Sequence, residues 1–268
     1  MSSAPGIDNG LLRRFTDRTR LVVWIGMAVT AVAAWAVLIA MAMAEQGGTL
    51  LSALCSPSGA AFGLESLAAG FVMWAAMSLA MMLPTAAPMI SVYMDIAGTA
   101  SARHKIVVPA NVLAGGYLTV WLGFSLAATA LQAGLRVAGV LDLWQGSLNM
   151  VLAGVVLILA GAYQFTPLKQ ACLSKCQNPM PFFLANWTDR TAGVFRLGLT
   201  QGLWCLGCCW ALMMVAFATG LMNLVWMAVL GLVMMAEKLY AESRALTWGA
   251  GLIFVAGGVA VLVAGLTG

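Results

Sequence analysis

The sequence predicts an all-α protein, a polytopic bundle of transmembrane helices. Of its 268 residues, 62% are hydrophobic and only 8% are charged, whereas a soluble domain carries about 25% charged residues. The mean hydropathy is +0.96, and the apolar runs reach about twenty residues, the length of a helix that crosses a bilayer. Because a membrane leaves no water for the backbone, each span must satisfy its own polar groups as a helix.

The distribution of charge orients the bundle. About seven spans are predicted, at 21–44, 67–97, 106–131, 147–166, 196–217, 221–238 and 245–266. With the N-terminus in the cytoplasm, every one of the thirteen basic residues except Arg136 falls in an inner segment, as the positive-inside rule requires. We therefore expect a cytoplasmic segment over residues 1–20 and a single transmembrane helical domain over 21–268. The positive net charge is explained by this topology and does not indicate nucleic-acid binding.

Three of the six cysteines fall within five residues of the fifth span, at Cys205, Cys208 and Cys209. On a helix Cys205 and Cys209 lie one turn apart on the same face, with Cys208 beside them. Thiols are soft ligands that suit Cu(I), zinc or iron–sulfur clusters. A lone buried cysteine is commonly a small core residue, but a cluster of three favours a metal or redox site.

A second pair of cysteines lies in the longest inner connection, at about 167–195. Thr166 and Pro167 predict the start of a short helix, on which Cys172 and Cys176 share one face. Nearby lysines, Lys169 and Lys175, are expected to favour the thiolate forms. The alternative is two unrelated interfacial cysteines, since two thiols complete no structural zinc site.

Methionines are concentrated in two windows, 73–94 and 213–235, which hold twelve of the eighteen. Thioethers are soft ligands for Cu(I), although methionine is also a flexible core filler. The candidate ligands among them are Met81, Met82, Met89 and Met213.

Two prolines, Pro84 and Pro88, interrupt the hydrogen bonding of the second span and free the carbonyls of Ala80 and Pro84. They predict a break that lines a cavity, or a plain packing kink. We expect this segment to contact the Cys205–Cys209 face.

The remaining candidates are ionisable residues near the spans. Glu237, at the inner end of the sixth span, is a candidate metal ligand. Its alternative role is an ion pair with Lys238 or with a basic residue of a neighbouring helix. The single histidine, His104, lies in a basic inner loop, which excludes histidine-rich sites. Cys55 stands alone in an outer loop and is assigned no role.

Three motifs, taken together and in this order, resemble those of a bacterial family described as predicted metal-binding integral membrane proteins. They are Met81–Met89 (MMLPTAAPM), Tyr163–Lys169 (YQFTPLK) followed by Cys172 and Cys176, and Cys205–Met213 (CLGCCWALM). The resemblance covers roughly residues 65–240. It implies a multi-pass protein of the bacterial cytoplasmic (inner) membrane that binds a metal.

The leading hypothesis is a membrane protein that binds or moves a soft metal ion. Cysteines with nearby methionines fit Cu(I) better than zinc, which stays an alternative. The protein would transport the ion or deliver it to another membrane protein. Its expected partners are the lipid bilayer and either a soluble metallochaperone or a partner membrane protein.

Two other function classes are open. The first is an enzyme that exchanges thiols and disulfides between Cys205, Cys208 and a membrane quinone, which the position of the thiols toward the reducing cytosol disfavours. The second is a structural subunit of a membrane complex, with the cysteines as packing. On balance no enzymatic activity is expected.

Overall fold

The computed structural model describes residues 9–47, 63–102, 106–141, 148–220, 223–240 and 244–267. His104 and Cys55 lie outside these ranges. Within them the regular elements are all α-helices, which confirms the predicted fold class. The helices are α1 Asn9–Gly47, α2 Leu64–Ala102, α3 Ala110–Val137, α4 Met150–Gln164, α5 Pro167–Gln177, α6 Met180–Ala185, α7 Thr191–Thr219, α8 Leu224–Leu239 and α9 Arg244–Thr267.

Each of the seven predicted spans coincides with one of these helices. Among the described residues, α1, α2, α3, α7 and α9 are long and apolar enough to cross a membrane, and α4 with α5 makes a sixth if this pair, bent by 63°, is one span. Helix α8 has 16 residues, or about 24 Å at 1.5 Å per residue, which is shorter than the roughly 30 Å of a bilayer core. Seven spans and a cytoplasmic N-terminus therefore stay predictions.

The bend between α4 and α5 follows from the sequence at residues 165–167. Pro167 disfavours the helical conformation at the residue before it, and Thr166 is extended, with φ −73° and ψ 144°. The Thr166 hydroxyl accepts a hydrogen bond from the Lys169 backbone N–H at 3.3 Å, so α5 begins at the predicted cap. The new helix axis carries α5 across to α7.

The predicted break in the second span is wrong, because α2 continues as a helix through Pro84 and Pro88. A proline in a membrane helix is tolerated where neighbouring side chains hold the surrounding backbone. Here the Met82 carbonyl accepts hydrogen bonds from the Thr85 hydroxyl at 2.9 Å and from the Tyr117 hydroxyl at 3.2 Å. The prolines thus leave α2 intact while its backbone is tied to α3.

Close approaches at glycine bring α3 onto α7. A Cβ added to Gly116 would lie 2.1 Å from the Phe195 carbonyl oxygen, and one added to Gly198 would lie 2.1 Å from the Leu113 carbonyl oxygen. Small residues let membrane helices pack backbone to backbone. In the sequence, Gly198 and Gly202 lie one helical turn apart, and this spacing predicts that another helix approaches closely there. A second run of glycines joins α4 to α9, namely Gly154, Gly161, Gly251, Gly258 and Gly265.

Replacing Gly116 with alanine is expected to destabilise the bundle by about 1–3 kcal/mol, the range for overpacking a tight contact. The added methyl group meets backbone atoms, which cannot rotate away. Unfolding of the purified protein in detergent would measure the change. Gly123→Ala, on the same helix, is the control, because a Cβ there meets nothing within 4 Å. Equal unfolding midpoints for the two variants would contradict the α3–α7 contact.

The buried side chains concentrate where α2, α3, α7 and α8 meet. Fully buried large residues there include Trp74, Met82, Trp121, Leu212 and Met213. The peripheral helices α1 and α9 are mostly exposed despite their apolar sequences, as expected of faces that contact lipid. Arg20 of α1 forms an ion pair with Asp95 of α2. A buried binding site would therefore lie at the centre of the bundle.

Candidate metal centre

A cluster of cysteine thiols lies at this centre. Cys205, Cys208 and Cys209 are 1–2% exposed, and their Sγ atoms all lie within 4.8 Å of one another. The thiols of Cys208 and Cys209 donate hydrogen bonds to the Cys205 carbonyl, at 3.0 and 2.9 Å. In the described part of the chain, no other group of three or more Cys, His, Asp or Glu side chains is close enough to hold a metal ion. The predicted convergence of these three thiols is therefore present.

Helix α5 adds its own thiols to this cluster. The Sγ atoms of Cys176 and Cys208 are 4.0 Å apart. Cys172 packs against Gly207 so closely that a Cβ there would lie 2.7 Å from its Sγ. The absence of a side chain at Gly207 thus lets α5 lie against α7. Cys172 and Cys176 share one helix face as predicted, and that face is turned toward the cluster.

The methionine candidates divide into two groups. Met82 Sδ lies 3.8 Å from Cys209 Sγ, so the predicted contact between the proline segment and the cysteine face is present. Met81 turns toward α8, where its side chain packs over Gly231. Met89 and Met213 are buried, but within the described residues neither makes a hydrogen bond with a thiol. Met82 is thus the methionine that the fold brings to the cluster.

A lysine from α8 also reaches the cluster. The Lys238 Nζ atom donates hydrogen bonds to Cys205 Sγ at 2.9 Å and to the Thr85 hydroxyl at 2.8 Å, and it lies 3.9 Å from Met82 Sδ. The residue is only 8% exposed. Sequence reasoning placed Lys238 among the basic residues of an inner loop and missed this role. One signal was available, since Lys238 follows the buried Met227, Leu230 and Met234 at helical spacing.

Tyr117 of α3 is the other residue that sequence reasoning missed. Its hydroxyl lies 3.0 Å from Cys205 Sγ and donates to the Met82 carbonyl. The side chain is 2% exposed. Tyr117 therefore links the thiol cluster to the backbone of α2. Five helices, α2, α3, α5, α7 and α8, contribute side chains to this cluster.

Glu237 lies next to Lys238 in sequence but contacts a different partner. Its carboxylate forms an ion pair with Lys169 of α5 at 2.8 Å, and the two side chains are 3% and 0% exposed. Lys169 also donates to the Gln164 side chain. The structure thus shows the ion pair with a neighbouring helix that was the alternative for Glu237. No described contact links its carboxylate to a thiol.

The expected effect of the lysines on the α5 thiols is not supported. Lys169 is neutralised by Glu237, and the Lys175 ammonium lies over the Trp204 ring, 5.3 Å from its centroid. In the described residues, the ammonium that meets a thiol is that of Lys238. The charge near the sulfur atoms comes from α8, not from α5.

A family model described as PpoB2, copper chaperone, matches residues 71–261. The chain belongs to this copper chaperone family. Neither a curated protein nor a solved structure matches the chain. Family membership, the buried cysteine cluster and the apolar helices together fit a metal-binding membrane protein.

Membership in the copper chaperone family also bears on the choice of metal. The three sequence motifs fall inside the matched residues, and so do all the thiols of the cluster. Thiolates and thioethers are the donors that Cu(I) prefers. Copper is supported both by the family and by the donor set, and nothing supports zinc.

Proposed function

We propose that the protein is a membrane-embedded copper chaperone that holds one Cu(I) ion on Cys205, Cys209 and Met82 and delivers it to a partner membrane protein. The observation that carries this proposal is the convergence of sulfur atoms from three helices, α2, α5 and α7. Cu(I) favours soft sulfur donors over the carboxylates and carbonyls that suit hard cations. Copper is the cargo in this function, not a resident cofactor.

The geometry of the cluster suits a single ion. Cys205 and Cys209 lie one helical turn apart, and their Sγ atoms are within 4.8 Å. Two metal–thiolate bonds of roughly 2.3 Å span about 4.6 Å, so one ion can reach both sulfur atoms at a separation of this size. Met82 Sδ, 3.8 Å from Cys209 Sγ, supplies a third sulfur. Small shifts of these side chains would close a two-thiolate, one-thioether site.

The α5 thiols suit entry or exit of the ion. Cys172 and Cys176 are half-buried, whereas the α7 thiols are fully buried. Cys176 lies 4.0 Å from Cys208, which is itself a neighbour of Cys205 and Cys209. A Cu(I) ion could therefore pass from α5 to α7 by exchanging one thiolate for the next, without leaving sulfur coordination.

Delivery is preferred over transport because the family is described as a copper chaperone. The donor would be a soluble metallochaperone or another source of Cu(I) at the inner face of the bacterial inner membrane. The acceptor would be a membrane protein with a copper site. Each transfer requires thiols to lose protons as they bind the ion and to regain them when it leaves.

Copper binding to the purified protein tests the proposal. Protein isolated in detergent under reducing conditions and loaded with Cu(I) is expected to retain about one ion per chain after desalting, as a tight soft-ligand site implies. X-ray absorption should show a coordination shell of sulfur alone. A folded protein that retains no copper, or that binds it through nitrogen and oxygen, would overturn the proposal and favour the scaffold hypothesis.

A further inference from the structure

The charge of Lys238 is the feature that the copper site itself does not explain. Burying an ammonium group is unfavourable unless an opposite charge lies near it. The adjacent carboxylate, Glu237, is already paired with Lys169. What Lys238 meets instead is Cys205 Sγ at 2.9 Å, with Thr85 and Met82 completing its surroundings.

We infer that Lys238 is the counter-charge of the loaded site and makes the protein selective for a monovalent ion over a divalent one. This inference rests on the proposed function, because it takes Cys205, Cys209 and Met82 as the ligands. Lys238 does not bind the ion. It acts on the site through the sulfur of Cys205.

The net charge of the loaded site carries the inference. One Cu(I) ion with two thiolates and a neutral thioether bears a charge of −1, and the Lys238 ammonium brings the total to zero. A divalent ion on the same ligands is neutral by itself, so the ammonium leaves a total of +1. Because a net charge buried in a low-dielectric interior is costly, Lys238 favours the monovalent ion.

The position of the ammonium fits this role. Thr85 of α2 accepts from Nζ and in turn donates to the Met82 carbonyl, so the lysine is fixed by a polar chain and not left to rotate. A hydrogen bond from a cation to a thiolate is stronger than one between neutral groups. The same contact would orient Cys205 toward the ion, as residues that hydrogen-bond to metal ligands do in other sites.

Lys238→Gln tests the inference, because glutamine removes the charge, keeps a hydrogen-bond donor and adds no sulfur atom that could bind Cu(I). Competition titrations would compare its affinity for Cu(I) with that for Cd(II), a soft divalent ion. The Cu(I) affinity is expected to fall by about 10- to 100-fold, the usual effect of losing a residue that supports a metal ligand, while the Cd(II) affinity is retained or rises. Lys175→Gln, which removes a lysine outside the cluster, should change neither affinity.

Three outcomes separate the possibilities. Unchanged Cu(I) affinity in a folded Lys238→Gln protein would overturn the inference. Equal losses for both ions would also overturn it, because they would show a structural role alone. A wild-type protein that binds no Cu(I) would instead refute the proposed function.

A second variant covers the case in which Lys238→Gln does not fold. Thr85→Val keeps the ammonium but removes the hydroxyl that holds it. The preference for Cu(I) over Cd(II) is expected to fall in this variant, by less than in Lys238→Gln. An unchanged preference would overturn the inference.

Discussion

Replacing Cys205 and Cys209 together with serine is expected to abolish copper retention. The two thiols supply both anionic ligands of the proposed site, and a serine hydroxyl is a hard, weakly acidic donor that does not replace a thiolate for Cu(I). Cys208 would then be the one thiol left on α7, so Met82 would face no pair of thiolates on that helix. The copper content of the desalted protein, measured with the variant and the wild type side by side, gives the result.

Two controls make this loss interpretable. His104→Ala should keep the full copper load, since the proposed ligands are all sulfur atoms. Serine is close to cysteine in size, so the double variant should unfold near the wild-type midpoint. If the double serine variant is folded and keeps its copper, Cys205 and Cys209 are packing residues and the structural-subunit hypothesis takes precedence.

The second large effect is expected from the buried ion pair between Lys169 and Glu237. Lys169→Met removes one partner and leaves the Glu237 carboxylate without its counter-charge in a site that is 3% exposed. Breaking a buried pair in this way typically costs about 3–5 kcal/mol. Chemical denaturation in detergent would measure the loss of unfolding free energy.

A double variant tests whether the lost stability comes from the unpaired charge. Lys169→Met combined with Glu237→Leu removes both charges, and replacing a whole buried pair with apolar groups is often neutral. Much of the stability lost in the single variant should therefore return. A single variant as stable as the wild type, or a double variant less stable than the single, would contradict the buried pair.

Much of the fold follows from local sequence signals. The apolar runs predict the helices because burial in lipid demands an internally bonded backbone. Thr166 and Pro167 predict the start of α5 because capping depends on neighbouring residues alone. Gly198 and Gly202 predict a close helix contact because a missing side chain has few other uses in a membrane helix.

The site is only partly predictable, because the parts played by Lys238 and Tyr117 depend on contacts between distant segments of the chain. The spacing of Cys205 and Cys209 on one helix face predicts their convergence. Hydropathy, however, assigns Lys238 to a polar flank, and nothing local shows that Glu237 and Lys238 are buried in the bundle. The sequence does not distinguish Tyr117 from the other aromatic residues, because its contacts with Met82 and Cys205 depend on how α3 packs. The continuity of α2 through Pro84 is not predictable for the same reason, since it depends on the residues that pack around α2.

The adjacency of Glu237 and Lys238 on α8 has a consequence for the order of assembly. Synthesis runs from the N-terminus, so α2, α5 and α7 are made before α8. Until residues 237 and 238 enter the bundle, Lys169 lacks its carboxylate and the thiol cluster lacks its cation. One helical turn then supplies both missing charges at the same moment. A nascent chain that stops before α8 would carry every sulfur ligand yet remain an incomplete receptor for copper, which ties competence to bind the metal to the synthesis of α8.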